Sequence, residues 1–384
     1  MSTPLAPVAP VLKKTALNAT HRALKAKMVD FGGWDMPVEY PCPGGGLIAE
    51  HLAVRTAVGL FDVSHMGEIQ FRGPGALAAV QRITMNDASR LKDGQAHYSA
   101  LLTPDGTFVD DILVHRLSEN DYLLVVNAGT KDKDYAWIRQ QVGGFPGIHL
   151  ADYSSYYSQL AVQGPRAHET LEKLTKTDLG AIKNYWFTWG QVAGVNNVLI
   201  ARTGYSGEDG FEVYIPSDEV TTVKVWNALM DAGASYGIRP CGLGARNTLR
   251  LEAGMSLYGH EISDEINVLG AGLERWLKMD KGEFIGREAL AKVQAEGGPK
   301  RKITGIEMVE RGIGRDGYAL YSLEGEPIGQ ITSGSPAPFL KTNIAIALVT
   351  SSAAASGADV LVDVRGNRVR AKQVALPFYK RAKK

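Results

Sequence analysis

The sequence predicts an α+β protein of two or three domains, and three observations support this prediction. The chain has 384 residues, which is more than one ordinary hydrophobic core usually accommodates. Strand-like runs alternate irregularly with helical segments, which favours an α+β fold over a doubly wound sheet. A polar, glycine-containing stretch over 294–302 separates a mixed region from a C-terminal region that is nearly all strand-like. We therefore expect the last part of the chain to form a small β-domain.

The predicted strands are short runs of β-branched and aromatic residues that end at turn residues. They cover 122–126, 198–201, 211–215, 329–332 and 344–349. Helices lie between them. One helix is predicted to end near Gly233 and to begin at Ser217 as its N-cap, because Asp218 and Glu219 would then suit the positive end of the helix dipole.

Composition gives no reason to expect nucleic acid or a membrane as a partner. The formal net charge is +1, and the longest apolar runs fall far short of a membrane span. The two cysteines, Cys42 and Cys241, are too far apart in sequence to indicate a disulfide framework or a metal site. We expect a cytoplasmic, bacterial-type protein. The mitochondrial matrix is the alternative, because no acidic residue precedes Asp30 while five basic ones do: Lys13, Lys14, Arg22, Lys25 and Lys27.

Two patterns resemble binding motifs without the context that such motifs need. The segment 312–317 matches the glycine pattern of a dinucleotide-binding turn. That turn must be followed by a helix, whereas the residues after Gly317 predict a β-hairpin. His51 and His65 are not at a metal-ligand spacing, so we interpret both as structural histidines. We therefore expect neither a bound nucleotide nor a metal.

The first pattern that indicates chemistry is the pair Asp110 and Asp111. Both lie in an apolar, strand-like run, where aspartate is uncommon. Side chains alternate along a strand, so the two carboxylates point to opposite faces and each has apolar neighbours. One of them is either a structural acid or a partly desolvated group that handles a proton. Alternation alone does not decide which.

Two further patterns indicate a ligand site. Glu212 follows a glycine-rich turn and lies on a strand among aromatic residues, which suits a flat heterocycle with two adjacent N–H groups. The alternative is a solvated surface glutamate. Arg246 and Arg250 lie four residues apart on one predicted helix, and such like charges repel, so each needs a partner. For Arg250 we expect an internal salt bridge.

Motifs along nearly the whole chain, from about Lys14 to Phe378, resemble the glycine cleavage T-protein family in the same order. They are 28–37 (MVDFGGWDMP), 61–66 (FDVSHM), 125–128 (VVNA), 160–165 (LAVQGP), 203–208 (TGYSGE), 242–246 (GLGAR), 249–254 (LRLEAG), 284–288 (FIGRE) and 331–334 (ITSG). The resemblance implies three domains around a central funnel that binds tetrahydrofolate. We expect these domains to cover 1–50 with 150–280, then 51–149 with the two aspartates, and 281–384 as a barrel-like β-domain.

The resemblance also implies a reaction and a set of residues. Such proteins are aminomethyltransferases: a lipoyl-carrying H-protein presents an aminomethyl group, and its carbon passes to tetrahydrofolate with release of ammonia. By resemblance, Asp110 is the carboxylate beside folate N10 and Glu212 binds the pterin. Arg246, Tyr205, Asn127, Val125 and Tyr98 fall on positions that line the folate site.

Two alternatives within this fold are a folate-dependent demethylase and a non-enzymatic folate-binding protein of iron–sulfur assembly. The second class carries a Lys-Gly-Cys signature, and this chain has Lys281, Gly282 and Glu283 in that place. The missing cysteine argues against it. We also expect the basic N-terminal residues to help dock an acidic H-protein; the alternative is that they only form a solvated face.

Overall fold

The computed structural model describes residues 11–41 and 45–382, which form helices and strands in irregular alternation. The helices are α1 Asn18–Ala23, α2 Leu47–Thr56, α3 Ala76–Ile83, α4 Lys131–Val142, α5 Ala167–Glu172, α6 Glu219–Gly233, α7 Leu243–Glu252 and α8 Arg287–Ala295. The strands are β1 Lys27–Phe31, β2 Trp34–Glu39, β3 Gly59–Asp62, β4 Gly67–Arg72, β5 Gln95–Leu102, β6 Phe108–Ser118, β7 Asp121–Val126, β8 His149–Asp152, β9 Tyr157–Gln163, β10 Phe187–Val192, β11 Val195–Ala201, β12 Gly210–Pro216, β13 Arg239–Cys241, β14 Arg301–Met308, β15 Ala319–Tyr321, β16 Pro327–Ala337, β17 Thr342–Thr350, β18 Asp359–Val364 and β19 Asn367–Val374. The prediction of an α+β protein is confirmed.

The first large sheet has six strands in the order β10-β11-β12-β9-β3-β13. Only the contact of β13 with β3 is parallel among the pairs of this sheet. Helices α5 and α6 cover one face, where Trp226 and Phe211 are fully enclosed in the core. The other face is free to carry polar side chains, and Glu212 lies on it between Ala161 and Ala201 of the neighbouring strands.

The second large sheet has five antiparallel strands in the order β5-β6-β7-β4-β8. Strands β5 and β6 are joined by the predicted turn, in which Gly106 adopts a left-handed backbone conformation with φ of 76°. Helices α3 and α4 pack on one face around Phe71 and Tyr122. Apolar burial on that face leaves the opposite face of β6 and β7 available for a site.

The C-terminal strands form a closed barrel in the order β14-β17-β16-β15-β18-β19. Its interior is filled by aliphatic residues such as Ile306, Ile331 and Val362. The predicted C-terminal β-domain is therefore confirmed. The segment after Gly317 forms strand β15 and continues through a turn into β16, so the glycine pattern over 312–317 precedes a hairpin and not a helix.

Hydrogen bonds from α7 and from the loop after it to β16 join the barrel to the mixed region. Arg250 forms a salt bridge of 2.8 Å with Glu261, as the sequence predicts. Ser333 on β16 accepts a hydrogen bond of 2.8 Å from Arg250. Thr332, its neighbour, donates one of 2.7 Å to Glu261. All four side chains are buried, so the barrel completes the hydrogen bonding of an ion pair outside it.

Three smaller features relate to expectations from the sequence. Helix α6 begins one residue later than predicted, because the side chain of Asp218, and not of Ser217, accepts the capping hydrogen bond from the Thr221 amide at 2.8 Å. Cys241 is a buried free thiol, and Cys42 lies outside the described residues. Across the described ranges, no helix has both the length and the apolar character that a membrane crossing requires.

We propose that the chain divides into three domains, one for each sheet system, with boundaries shifted from the sequence-based ones. Strand β3 pairs with β9 and so belongs to the first domain, although it lies within 51–149. Strand β8 pairs with β4, which extends the second domain to Asp152. Leu290 of α8 packs with Phe108 of the second sheet, so the barrel domain begins at Arg301 and not at 281.

Candidate functional site

A cavity of about 250 Å³ lies between the open faces of the two large sheets and the N-terminal part of α7. Six of the seven residues singled out in the sequence contribute to its lining: Tyr98, Val125, Asn127, Tyr205, Glu212 and Arg246. They come from β5, β7, the turn before β12, β12 itself and α7. Tyr98 and Arg246, which lie 148 positions apart in the sequence, therefore meet at one place.

The seventh residue, Asp110, does not line the cavity; its neighbour Asp111 does. The two carboxylates point to opposite faces of β6, as alternation requires. Asp110 is fully buried on the face that packs toward α4. The assignment of Asp110 to the folate side thus differs from the geometry, which presents Asp111 to the cavity. The sequence could not decide this, because the inward face depends on how the sheets pack.

Asn127, directly after β7, connects the two aspartates. Its side-chain amide donates to Asp111 Oδ1 at 2.7 Å and to Asp110 Oδ1 at 2.9 Å. Its backbone amide donates to Asp110 Oδ2 at 3.2 Å, and the Thr130 hydroxyl donates to the same oxygen at 2.8 Å. Asp110 therefore accepts three hydrogen bonds, and it fixes the amide that holds Asp111.

Asp111 is the group in the cavity best suited to exchange a proton. Burial, and next the charge of Asp110, raise its pKa to about 7. Hydrogen bonds from Asn127 and from the Tyr98 hydroxyl, which donates at 3.1 Å, act in the opposite direction. A carboxyl group with a pKa near neutrality can accept a proton and return it at physiological pH.

Glu212 faces the cavity from β12 on the opposite wall. Its carboxylate accepts a hydrogen bond from the Thr203 hydroxyl, and Gln159 lies beside it. Burial raises the pKa of Glu212, while Thr203 and the charge of Arg246 lower it. The carboxylate of Glu212 faces the cavity, where its oxygens can accept hydrogen bonds from two N–H groups of a flat ring.

Arg246 brings a positive charge to the same wall from the first turns of α7. Its guanidinium lies 4.6 Å from the centre of the Tyr205 ring. Among the described residues no carboxylate lies within ion-pair distance of it, whereas Arg250, one turn later, is paired with Glu261. Burial lowers the pKa of Arg246. A desolvated cation without a counter-ion is costly, and an anionic or carbonyl oxygen of a ligand would offset that cost.

Sequence reasoning missed several residues of the lining. The most prominent is Trp276, whose ring centre lies 5.7 Å from that of Tyr98 and 6.0 Å from that of Tyr185. Arg275 and Gln159 also line the cavity. Trp276 ends a single 3-10 helical turn, Glu274–Trp276, which is too short to show a periodic pattern, so its sequence neighbourhood carries no signal that would place it here. Together these rings form an aromatic wall suited to a planar ligand.

The two histidines considered in the sequence lie in the interior. His51 lies 2.8 Å from the Thr248 hydroxyl and 3.1 Å from Glu252, so it takes part in a buried polar network. His65 is buried, and its edge contacts Phe31. Within residues 11–41 and 45–382, no three side chains of histidine, cysteine, aspartate or glutamate are grouped as a metal ion would require.

Comparison with known proteins decides the family. Residues 17–281 match the model of the GCVT N-terminal domain, and residues 301–380 match the glycine cleavage T-protein C-terminal barrel domain. The chain belongs to the glycine cleavage T-protein family. The resemblance noted in the sequence is therefore confirmed, and the barrel seen in the structure is the second of the two family domains.

Relatives named aminomethyltransferase extend the T-protein assignment over the full chain. The protein of Acidobacterium capsulatum is 64% identical, over 97% of this chain and 97% of its own. That of Koribacter versatilis is 59% identical, over 98% and 99%. The crystal structure of the glycine cleavage system aminomethyltransferase T from Bartonella henselae has a TM-score of 0.88 at 32% identity, covering 96% of this chain and 98% of that one.

Proposed function

We propose that this chain is the aminomethyltransferase of a glycine cleavage system. It transfers the methylene carbon of an aminomethyl-lipoyl H-protein to tetrahydrofolate and releases ammonia, 5,10-methylenetetrahydrofolate and dihydrolipoyl H-protein. The carbon loses its bonds to sulfur and to the amine nitrogen and gains two bonds to folate nitrogens. Two protons must therefore pass from the folate nitrogens to the thiol and the departing ammonia.

The observation that carries the proposal is Asp111, a cavity carboxyl whose pKa is raised to about 7. A folate nitrogen that attacks this carbon with its lone pair becomes positively charged, so it must lose its proton as the C–N bond forms. A carboxylate at this pKa accepts that proton and can pass it to the leaving group. We assign this role to Asp111 in place of Asp110, which supports it from behind through Asn127.

In our proposal the site binds tetrahydrofolate through both the face and the N–H edge of its pterin ring. The Glu212 carboxylate accepts hydrogen bonds from two N–H groups of the pterin, and Arg246 attracts an oxygen of the folate. Tyr98 and Trp276 supply aromatic faces against which a planar ring packs. Val125 and Tyr205 complete the walls around it. Tetrahydrofolate is a co-substrate here, and the proposed chemistry uses no metal or nucleotide.

We propose a lipoyl-bearing H-protein as the partner and the bacterial cytoplasm as the location, in line with bacterial relatives. Three of the five basic residues near the N-terminus form internal ion pairs: Lys13 with Asp132, Arg22 with Asp35 and Lys27 with Glu39. Lys14 and Lys25 are exposed and have no ion pair among the described residues. In this form the docking hypothesis depends on those two lysines.

One assay tests the proposed function. Purified protein is incubated with aminomethylated H-protein, with and without tetrahydrofolate, and ammonia and methylenetetrahydrofolate are measured. We expect both products to appear at equal rates and only when folate is present. A protein that instead demethylates a methylated amine, and leaves aminomethylated H-protein intact, would be the folate-dependent demethylase considered above.

A further inference from the structure

A second acidic residue lies directly behind the site, in the first turn of α4. Asp134 is fully buried, and its carboxyl lies against the carboxyl of Asp110, which is buried to the same extent. Within the described part of the chain, neither oxygen of Asp134 accepts a hydrogen bond of ordinary geometry; the nearby Thr130 hydroxyl, which lowers the pKa of Asp134, donates to Asp110 at 2.8 Å. Two buried carboxyl groups in contact cannot both be ionised without a large electrostatic cost.

Among the residues that the structure describes, no cation neutralises this pair well. Lys133 is the basic residue nearest to Asp134, with Nζ 3.9 Å from Oδ1. That ammonium group donates its hydrogen bonds elsewhere, to the Val109 carbonyl at 2.6 Å and to the Tyr258 hydroxyl at 2.8 Å. A proton between the two carboxyls is the remaining way to relieve their repulsion. Burial and the charge of Asp110 accordingly raise the pKa of Asp134 to about 10.

The hydrogen-bond donors around the two carboxyl groups favour Asp134, and not Asp110, as the one that holds the proton. Asp110 accepts two hydrogen bonds from Asn127 and one from Thr130, so both of its oxygens already serve as acceptors. Asp134 has no comparable set of donors, so its neutral form is favoured. As a carboxylic acid, Asp134 can donate its O–H to Asp110 without reducing the charge that Asp110 presents to Asn127.

We propose that Asp134 is a protonated positioning residue: it donates a hydrogen bond to Asp110, and the pair holds Asn127 and thereby the Asp111 carboxylate in place. The contacts run without a gap from α4 through Asp110 and Asn127 to the cavity. Asp134 itself does not touch the substrate. The effect on turnover rests on the function proposed above for Asp111, whereas the location of the proton does not.

Infrared spectroscopy of the folded protein tests the proton directly. Protein labelled with carbon-13 in the aspartate carboxyls is measured without folate at mildly alkaline pH, where Asp111 is ionised. We expect a label-sensitive carboxylic-acid C=O band in the wild type, which disappears in Asp134→Asn. The control is Asp132→Asn, two residues away in the same helix turn and 78% exposed, which should keep the band. Absence of the band from the wild type, or its persistence in Asp134→Asn, would overturn the proposal.

Kinetics tests the positioning role with a conservative and a disruptive variant. Asp134→Asn keeps a neutral side chain that can donate to Asp110, so kcat should fall by no more than a few-fold. Asp134→Ala removes the donor and should lower kcat by on the order of ten- to a hundred-fold, with little change in the KM for tetrahydrofolate. Equal losses in both variants, or none in Asp134→Ala, would refute positioning. If the wild type itself releases no ammonia, the proposed function fails while the infrared result stands.

Discussion

The side-chain amide of Asn127 donates to Oδ1 of Asp111 across 2.7 Å, and the same nitrogen lies 2.9 Å from Asp110. One residue after β7 therefore ties together two neighbouring carboxylates that point to opposite faces of β6. The carboxylate on the cavity side has a raised pKa, and the one behind it accepts most of the hydrogen bonds. Substitutions of the two aspartates should consequently have different effects.

Asp111→Asn should lower kcat by about 10²–10⁴-fold, the usual cost of losing a group that transfers a proton in the transition state. The asparagine has nearly the same shape, so the fold and the affinity for tetrahydrofolate should change little. Steady-state kinetics with aminomethylated H-protein gives kcat, and calorimetric titration gives the affinity.

The companion variant is Asp110→Asn. It removes the charge that holds Asn127 and Thr130, so we expect a lower melting temperature and a smaller loss of kcat than in Asp111→Asn. A nearly normal Asp111→Asn together with a crippled Asp110→Asn would return the proton-transfer role to Asp110.

The pH profile should report the pKa of Asp111. Because the base must be ionised, kcat/KM for tetrahydrofolate should fall as pH drops through about 7, the value to which burial and Asp110 raise this pKa. Tyr98→Phe removes a hydrogen bond that favours the ionised form, so the acidic limb should move to higher pH. Rates measured across neutral pH for both proteins check this. An unmoved limb in Tyr98→Phe would mean that another group sets the profile.

Glu212→Ala should weaken tetrahydrofolate binding more than it slows the chemical step. Its proposed hydrogen bonds to the pterin exist in the ground state and in the transition state alike, so KM rises and kcat stays nearly constant. A charge-assisted interaction of this kind contributes about 1.5–3 kcal/mol. Calorimetric titration of the variant decides the matter: unchanged affinity would remove Glu212 from the binding site.

Arg246 and Arg250 form a matched pair one helical turn apart. Arg246→Met removes a half-buried cation that forms no ion pair among the described residues, so the free protein should become more stable while folate affinity falls. Arg250→Met leaves Glu261 buried without its partner and should destabilise the protein by about 3–5 kcal/mol. Denaturant unfolding and folate titration of both variants give the comparison. Destabilisation of equal size in the two would show that Arg246 has a structural partner.

Lys14→Glu with Lys25→Glu should slow the reaction with intact H-protein, most strongly at low salt, because complementary charge mainly speeds the encounter. The same double variant should be nearly normal with free aminomethyl-lipoate, which has no protein surface. Lys300→Glu with Lys302→Glu makes the same charge change at exposed positions near the start of β14 and serves as the control. Equal loss on both donors, or no loss on either, would rule out the docking role.

The sequence identified most of the cavity because its key residues interrupt regular patterns. Glu212 is a charge within an apolar strand, and Arg246 repeats a like charge on one helix face with Arg250. Such departures are visible without a structure, since strand and helix periodicity define what is expected at each position. The internal pairing predicted for Arg250 follows from the same reasoning and is confirmed.

What the sequence could not decide depends on packing between distant elements. Alternation places Asp110 and Asp111 on opposite faces, but the packing of α4 determines which face is closed. Trp276 reaches the cavity from a 3-10 turn of three residues, which is too short for a period to predict the direction of a side chain. The hydrogen bond that Arg250 donates to Ser333 connects positions 83 residues apart, and only the assembled barrel brings them together.

The hydrogen bonds between β16 and the Arg250–Glu261 pair affect how the protein folds during synthesis. The ribosome releases α7 well before the barrel strand β16, so Arg250 and Glu261 lack their hydrogen bonds to Ser333 and Thr332 until β16 has been synthesised. Chains whose synthesis stalls before the barrel keep the Arg250–Glu261 pair exposed to chaperones and proteases. Substitutions in β16 can therefore reduce how much enzyme a cell accumulates, while each molecule that does mature works at the normal rate.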